Sequence, residues 1–502
     1  MKFERASGIL LHPTSLPSRH GIGDLGQSAY DFIDFMVRSG QTLWQILPLG
    51  PTGYDHSPYT MNFSAFAGNP LMVSLEKLVD EGLLKADEVS PLADVPADRV
   101  SFSKTIPHKM ALLRRAFDRF TDRPQTPEMD KFSAEQGWWL EDFVLFMALL
   151  EANDGKPWSQ WEPGIARREP EAMKAKAEEL KESVAFQRFV QFKFFEQWMA
   201  LRQYANSKNI QIIGDVSIYV CHNSSDVWAH PQLFKLDPQT LESAYIAGVP
   251  PDYFSETGQL WGNPVYDWDK CQASGFEWWI SRFKATLQYV DWVRVDHFRG
   301  FEAYWQVPAS EETAINGEWV KAPGDAFFET LAEKLGTLPV LAEDLGIITP
   351  EVEALRDRFD FPGMKILMFA FDGDPNNTHL PSNYAENCIV YSGTHDNDTA
   401  IGWWQTLRPE EKQVLAKYLG YDSPDAIEEI NWALIQTALA SIANLAIVPL
   451  QDLLSLDGSA RMNDPSKIPN NWRWRYESSD MLTGGISDRL LDLTRTHSRL
   501  PS

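Results

Sequence analysis

The chain has 502 residues, of which 44% are hydrophobic and 23% are charged, so it can bury a large core. Its formal net charge of -25 argues against nucleic acid and against an anionic membrane surface as partners. We expect no membrane span and no secretory leader, because no apolar run reaches the ~18 residues that a span needs. The three cysteines are sparse and lack metal-site spacing, which favours a reduced, cytoplasmic protein.

Eight short apolar runs, each typical of a buried parallel strand, alternate with helical segments along the chain. The runs start at Gly8, Leu43, Ile210, Val290, Pro339, Met364, Cys388 and Leu445. This alternation predicts an α/β fold in which residues 1–502 form a single (β/α)8 barrel, the TIM barrel, with insertions. We expect no separate C-terminal β domain.

Two segments interrupt the alternation. Residues 75–207, between the second and third strands, carry apolar residues at helical spacing, so we expect a mainly helical insertion. A loop of that length without structure of its own would be unusual. Residues 240–275 are rich in polar, glycine, proline and aromatic residues, and we expect them to form a loop insertion near the functional site.

Three predicted strands end in carboxylates, namely Asp296, Glu343 and Asp396. In a barrel these side chains would project into one mouth, although they are far apart in the sequence. Two carboxyl groups in one cleft suit glycosidic bond cleavage, with one ionised to attack the sugar and the other protonated to release the leaving oxygen. Arg294 would favour the ionised form of Asp296, but a buried ion pair that only supports the fold is an open alternative.

The strand ends resemble the signature regions of the α-amylase clan: Asp215-Val216, Arg294-Val295-Asp296-His297, Glu343 and His395-Asp396. Further stretches narrow the resemblance to the 4-alpha-glucanotransferases (amylomaltases or disproportionating enzymes) of glycoside hydrolase family 77. These stretches are residues 57–59, 66–70, 247–254, 257–264, 297–300, 342–346, 393–397 and 471–475. The resemblance spans nearly the whole chain, and the ordered set is far more specific than one Arg-x-Asp triplet.

The resemblance implies that Asp296 is the nucleophile, that Glu343 is the acid/base, and that Asp396 stabilises the transition state by binding and distorting the sugar ring. It implies substrate contacts for Arg294, His395, Tyr59, Asp215, Trp261, His297 and Asn463. The expected reaction transfers a segment of an α-1,4-glucan to the 4-hydroxyl of glucose or another glucan, through a covalent glucosyl-enzyme with retention. We expect no organic cofactor and no metal.

The expected partners are α-1,4-glucans and maltooligosaccharides of the starch or glycogen type, with glucose as an acceptor, in a monomer or homodimer. Two alternatives remain open: a hydrolase of the same clan, and a glucan-binding protein without catalysis. The chain departs from the family pattern at Asn223, where aspartate is usual, and at Ser466, where glycine is usual. These departures concern local loop geometry rather than the reaction class. Trp472 and Trp474 are expected to pack near the C-terminus.

Overall fold

This computed structural model describes residues 4–53, 55–59, 62–124, 126–251, 255–467 and 470–501. Over these ranges the chain forms twelve strands, numbered here in chain order. The strands are β1 (Ala6–Leu10), β2 (Leu43–Gln45), β3 (Gln211–Val216), β4 (Tyr245–Val249), β5 (Gln259–Pro264), β6 (Trp292–Val295), β7 (Ala303–Pro308), β8 (Glu318–Lys321), β9 (Val340–Ala342), β10 (Gly363–Ile366), β11 (Cys388–Tyr391) and β12 (Leu445–Pro449).

Eight of these strands close into a parallel barrel in the order β1, β12, β11, β10, β9, β6, β3 and β2. Each of the eight predicted strands is present, so the (β/α)8 barrel prediction is confirmed. All residues of β11 and β12 are buried, because helices cover the outside of the barrel and side chains fill its inside. After β12 the described chain adds helices and turns but no separate C-terminal β domain.

The α-helices of the described ranges surround the barrel or lie in the long insertion. They are α1 (Gln27–Arg38), α2 (Leu75–Asp80), α3 (Phe102–Thr121), α4 (Pro127–Ala152), α5 (Pro163–Ala166), α6 (Pro170–Glu179), α7 (Lys181–Ser207), α8 (Ser225–Ala229), α9 (Trp268–Ala273), α10 (Glu277–Tyr289), α11 (Gly324–Leu335), α12 (Pro350–Arg358), α13 (Ala400–Thr406), α14 (Pro409–Tyr418), α15 (Ile430–Ala440), α16 (Leu450–Leu453) and α17 (Gly484–Thr496). No helix in these ranges has the length and apolar character needed to cross a membrane.

The segment 75–207 holds helices α2 to α7. The two longest helices of the segment, α4 and α7, pack through aromatic side chains: the Trp139 ring lies 5.9 Å from Phe195, and both residues are buried. Such large apolar groups stabilise a helix pair mainly through the area that they remove from water. Helix α7 then leads directly to β3, which places the insertion beside the barrel.

A second sheet of four antiparallel strands, in the order β5, β4, β7 and β8, lies outside the barrel. Strands β4 and β5 fall within residues 240–275, which the sequence predicted only as a loop insertion. The structure therefore gives this segment regular pairing that its glycine- and proline-rich composition did not predict. The motif residues Asp252, Tyr253 and Phe254, between β4 and β5, lie outside the described residues.

Candidate active site

The ends of neighbouring barrel strands bring the predicted carboxylates to one mouth. Val295 on β6 pairs with Ala342 on β9, and Asp296 and Glu343 are the next residues of these two strands. The Glu343 backbone N–H donates to the Val295 carbonyl at 3.0 Å, which continues the ladder to the two carboxylates. Asp396 follows β11 at the same end of the barrel.

The Arg294 guanidinium lies between two carboxylates. It donates from Nη1 to Asp215 Oδ2 at 2.6 Å and from Nη2 to Asp296 Oδ1 at 3.0 Å. The Tyr59 hydroxyl donates to the same Asp215 oxygen at 2.8 Å. Burial raises the pKa of Asp215, and the Arg294 charge opposes that increase. The Asp215 side chain is 0% exposed and that of Asp296 is 27% exposed, so Asp296 is the carboxylate that a ligand can reach.

Glu343 is held by the backbone on both of its oxygens. Oε2 accepts the His297 N–H at 2.6 Å, and Oε1 accepts the Leu345 N–H at 2.8 Å. Burial raises the pKa of Glu343 to about 8, and the negative charge of Asp296 adds to this increase. A carboxyl group with such a pKa carries a proton near neutral pH, as a general acid must.

The donor to Glu343 comes from a left-handed turn. His297 has φ 52° and ψ 50°, a conformation that residues other than glycine seldom adopt, and this turn directs its N–H toward Glu343. Burial lowers the pKa of the His297 imidazole to about 3, so the ring is neutral. Trp261 on β5 meets this ring edge-on at 4.7 Å, which places the second sheet against the mouth of the barrel.

Asp396 is oriented by residues of the chain that follows β12. Asn463 Nδ2 donates to Asp396 Oδ1 at 2.6 Å, and Arg461 Nη2 donates to the Asp396 carbonyl at 2.6 Å. His395 Nε2 lies 3.4 Å from Asp396 Oδ2. The Asp396 side chain remains 45% exposed, so these contacts leave the carboxylate open to the cleft.

Three rings line the same part of the mouth. Tyr59 stacks on His395 at 5.1 Å with an interplanar angle of 7°, and Trp472 lies 5.7 Å from Tyr59 and 5.9 Å from His395. Trp472 was expected only to pack near the C-terminus, and the structure places it beside two predicted site residues. Its stretch, 471–475, was noted for the family resemblance, but nothing in its local pattern indicated that it returns to the barrel mouth.

Several buried polar atoms at the mouth have no hydrogen-bond partner within the described residues: Asp215 Oδ1, His297 Nε2 and His395 Nδ1. Buried polar atoms in proteins are nearly always paired, so atoms left over in a cleft indicate places where a ligand or water bonds. A sugar hydroxyl can both donate and accept, which suits an imidazole nitrogen of either kind.

The two departures from the family pattern are accommodated by local hydrogen bonds. The Asn223 side-chain oxygen accepts the Trp158 N–H at 3.2 Å, and the Ser466 hydroxyl donates to Asp464 Oδ1 at 2.7 Å. Within the ranges that the structure covers, no group of three or more His, Cys, Asp or Glu side chains is placed to hold a metal ion.

Comparisons with known proteins show which family this chain resembles. The family model described as 4-alpha-glucanotransferase matches residues 11–481. The 4-alpha-glucanotransferase of Synechocystis sp. is 52% identical over 501 residues, which cover 99% of this chain and 98% of that protein. The enzyme of the same name from Thermus thermophilus is 48% identical over 483 residues, 95% of each chain.

A solved structure, the amylomaltase from Streptococcus agalactiae in complex with acarbose, superposes with a TM-score of 0.95 at 39% identity. The match covers 99% of this chain and 100% of that one. The amylomaltase from Corynebacterium glutamicum, at 18% identity and a TM-score of 0.80, shares the fold. Since the family model covers most of the chain and relatives near half identity cover nearly all of it, the protein belongs to the 4-alpha-glucanotransferase family and is a 4-alpha-glucanotransferase.

Proposed function

We propose that the transfer proceeds by two displacements at the anomeric carbon, with retention of the α configuration. In the first step Asp296 attacks that carbon, the bond to the leaving O4 breaks, and Glu343 gives its proton to that oxygen. The observation that carries this assignment is the contrast between the two carboxyl groups. Asp296 rests on the Arg294 guanidinium, whereas Glu343 sits on two backbone N–H groups with a pKa raised to about 8.

In the second step the roles of Glu343 reverse. Its carboxylate accepts the proton of an incoming 4-hydroxyl, the hydroxyl oxygen bonds to the anomeric carbon, and the bond to Asp296 breaks. The acceptor is glucose or the end of another glucan. Two inversions at one carbon restore the α configuration of the donor.

The remaining predicted residues hold the sugar at the cleavage point. Asn463 orients the Asp396 carboxylate, which is exposed to the cleft. This carboxylate binds ring hydroxyls and favours the distorted sugar ring. His395 and His297 each offer a free imidazole nitrogen to a hydroxyl, while Tyr59 stacks against the ring. Asp215 supports Arg294 and Tyr59 through Oδ2, which leaves its buried, unpartnered Oδ1 to contact a sugar hydroxyl.

Transfer requires that a sugar reach the covalent intermediate before water does. Trp261 on β5, against His297, supports a role for the second sheet as a cover over the acceptor side of the cleft. A hydrolase of the same clan shares the first step, and the ratio of transfer to hydrolysis measures how well the cleft keeps water from the intermediate.

We further propose that residues 1–502 act as one catalytic domain, with 75–207 and 240–275 as its insertions. The predicted partners are α-1,4-glucans, maltooligosaccharides and glucose, in a monomer or homodimer. The predicted cytoplasmic location is consistent with three unpaired thiols at Cys221, Cys271 and Cys388. Light scattering of the purified protein and fractionation of the host cell test these points.

The test of the mechanism is incubation of the Asp296→Asn variant with pure maltotriose, with chromatography of the oligosaccharides and an assay of glucose. The native protein should produce a ladder of longer oligosaccharides and free glucose with little gain in reducing ends. Loss of the nucleophile should lower that rate by about 10⁴-fold. Near-native turnover in the variant would sink the assignment of Asp296.

The matched control is Asp492→Asn, which removes a carboxylate from the exposed face of α17 and should keep the native rate. A steady gain in reducing ends without a ladder, in the native protein, would identify a hydrolase. Glucan binding without any product would favour the non-catalytic alternative.

A further inference from the structure

Arg299 is a buried cation that the mechanism above does not use. Arg299 is 6% exposed, and among the described residues no carboxylate forms an ion pair with its guanidinium. Burial lowers the pKa of this group, which reflects the cost of keeping a charge away from water. A buried charge without an acidic partner must be stabilised by other contacts.

Two contacts hold the Arg299 guanidinium in place. Nη1 donates a hydrogen bond to the carbonyl oxygen of Ile347, and the guanidinium carbon lies 3.8 Å from the centre of the Trp319 ring. Trp319 on β8 is in turn fixed edge-on against Trp305 on β7, at 5.3 Å. A flat cation over an indole is the strongest form of cation–π contact.

The Ile347 carbonyl belongs to the short loop that carries the acid/base. The loop leaves β9 at Glu343, turns at Gly346 with φ 86°, and reaches Ile347, where Arg299 holds it. Leu345, inside this loop, donates its N–H to Glu343 Oε1. The position of that donor therefore depends on how firmly the far end of the loop is held.

Arg299 also belongs to the turn that supplies the other donor to Glu343. His297 donates to Oε2, and Phe298 donates its N–H to the Glu343 carbonyl at 3.1 Å. Arg299 thus joins the turn after the nucleophile, which holds the His297 donor, to the loop after the acid/base, which holds the Leu345 donor.

We propose that Arg299, backed by Trp319, is a positioning residue that fixes the orientation of the Glu343 carboxyl. The proposal rests on the proposed role of Glu343 as acid/base. Without Arg299 the loop 343–347 loses its far anchor, and proton transfer to and from the glycosidic oxygen becomes slow. Substrate binding and attack by Asp296 use other contacts and should be preserved.

The test compares two donors that differ in their need for an acid. Maltotriose has a poor leaving group that must be protonated, whereas α-maltosyl fluoride releases fluoride without a proton from the enzyme. Azide added as the acceptor bonds to the anomeric carbon and displaces Asp296 without a general base. The pair maltosyl fluoride and azide therefore bypasses Glu343 in both steps.

Arg299→Met should lower kcat for maltotriose about 100-fold, with little change in KM, and should keep the fluoride–azide rate within about threefold of the native enzyme. Arg299→Lys and Trp319→Phe, which preserve more of the contact, should show the same pattern at smaller amplitude. The control Arg489→Met removes a partly exposed guanidinium of α17 that covers Trp432 at 4.1 Å and pairs with Glu429, and should leave both rates native.

Glu343→Gln separates failure of this proposal from failure of the mechanism. Suppose that the fluoride–azide pair rescues Glu343→Gln. If Arg299→Met then slows the maltotriose and the fluoride–azide reactions equally, or slows neither of them, Arg299 does not position the acid. If Glu343→Gln is not rescued, the acid/base assignment is wrong and the inference falls with it. A Trp319→Phe variant that changes only KM for glucose would make Trp319 an acceptor contact instead and would also overturn the proposal.

Discussion

Replacing Arg294 with methionine tests how much the two-carboxylate arrangement depends on one guanidinium. Methionine has a similar length and no charge, so Arg294→Met removes the cation and leaves most of the volume filled. The change strands Asp215, which is fully buried and 2.6 Å from the guanidinium, and frees Asp296, which is 3.0 Å away. Both pairs are mostly shielded from water, so salt screens them weakly.

The expected loss of folding stability follows from the burial of these charges. Two unit charges about 4 Å apart attract by roughly 4 kcal/mol at an effective dielectric constant of about 20. Removal of one partner from a buried pair typically costs about 3–5 kcal/mol, because the other charge stays behind without compensation. Proton uptake by Asp215 relieves part of this cost, since burial already raises its pKa. We therefore expect the free energy of unfolding to fall by about 3–4 kcal/mol.

The effect on catalysis has a separate cause. Asp296 loses the hydrogen bond that orients its carboxylate, and a loss of about 3–4 kcal/mol in the transition state corresponds to a 10²–10³-fold lower kcat/KM. Adding Asp215→Asn should restore stability by about 2 kcal/mol, because the stranded charge is removed, and should leave activity low. The double variant should thus regain part of its stability without regaining activity.

Urea unfolding followed by tryptophan fluorescence measures the stability of each variant, and glucose release from maltotriose measures its activity. Arg294→Lys is the control that keeps a charge but loses the two-pronged geometry, and it should unfold closer to the native enzyme. If Arg294→Met has the same free energy of unfolding as the native enzyme, then loss of Arg294 does not leave an uncompensated buried charge on Asp215, and the reasoning is refuted.

Two further predictions test the role of Glu343 as proton donor and the orientation of Asp396. Because the pKa of Glu343 is raised to about 8, the proton needed in the first step is lost above that pH. The value of kcat/KM for maltotriose should fall by up to about tenfold per pH unit on the alkaline side, and a flat profile to about pH 9.5 would contradict the assignment. Asn463→Ala removes the 2.6 Å hydrogen bond to Asp396 and should lower kcat about 10–100-fold. The melting temperature should stay unchanged. An unchanged kcat would mean that this hydrogen bond does not orient the Asp396 carboxylate.

The barrel and the position of its carboxylates were predictable from the sequence because both depend on a local pattern. A strand covered on both faces is a continuous apolar run, and the first polar residue after the run marks the barrel mouth. Asp296 and Glu343 each directly follow the last residue of their strands, and the parallel register brings them to adjacent strand ends, whereas Asp396 lies beyond Ser392 and the turn after β11.

The remaining parts of the site depend on contacts between distant segments. The second sheet was missed because β4 and β5 are only partly buried and contain glycine and proline, which weaken any alternating pattern. Arg461 and Trp472 reach the mouth from the chain after β12, and no local pattern predicts that return. The left-handed turn at His297 could not be predicted either, because a histidine in the sequence does not specify a positive φ.

The hydrogen bond from the Glu343 backbone to the Val295 carbonyl has a consequence for heat tolerance. The nucleophile and the acid/base each lie one residue beyond the Val295–Ala342 pair, so the distance between their backbones is set by the barrel strands. Warming cannot spread the two groups apart until the strands themselves separate. A loss of activity below the melting point should therefore originate in the loops that orient the side chains, such as 343–347, or in the parts that admit and release glucan.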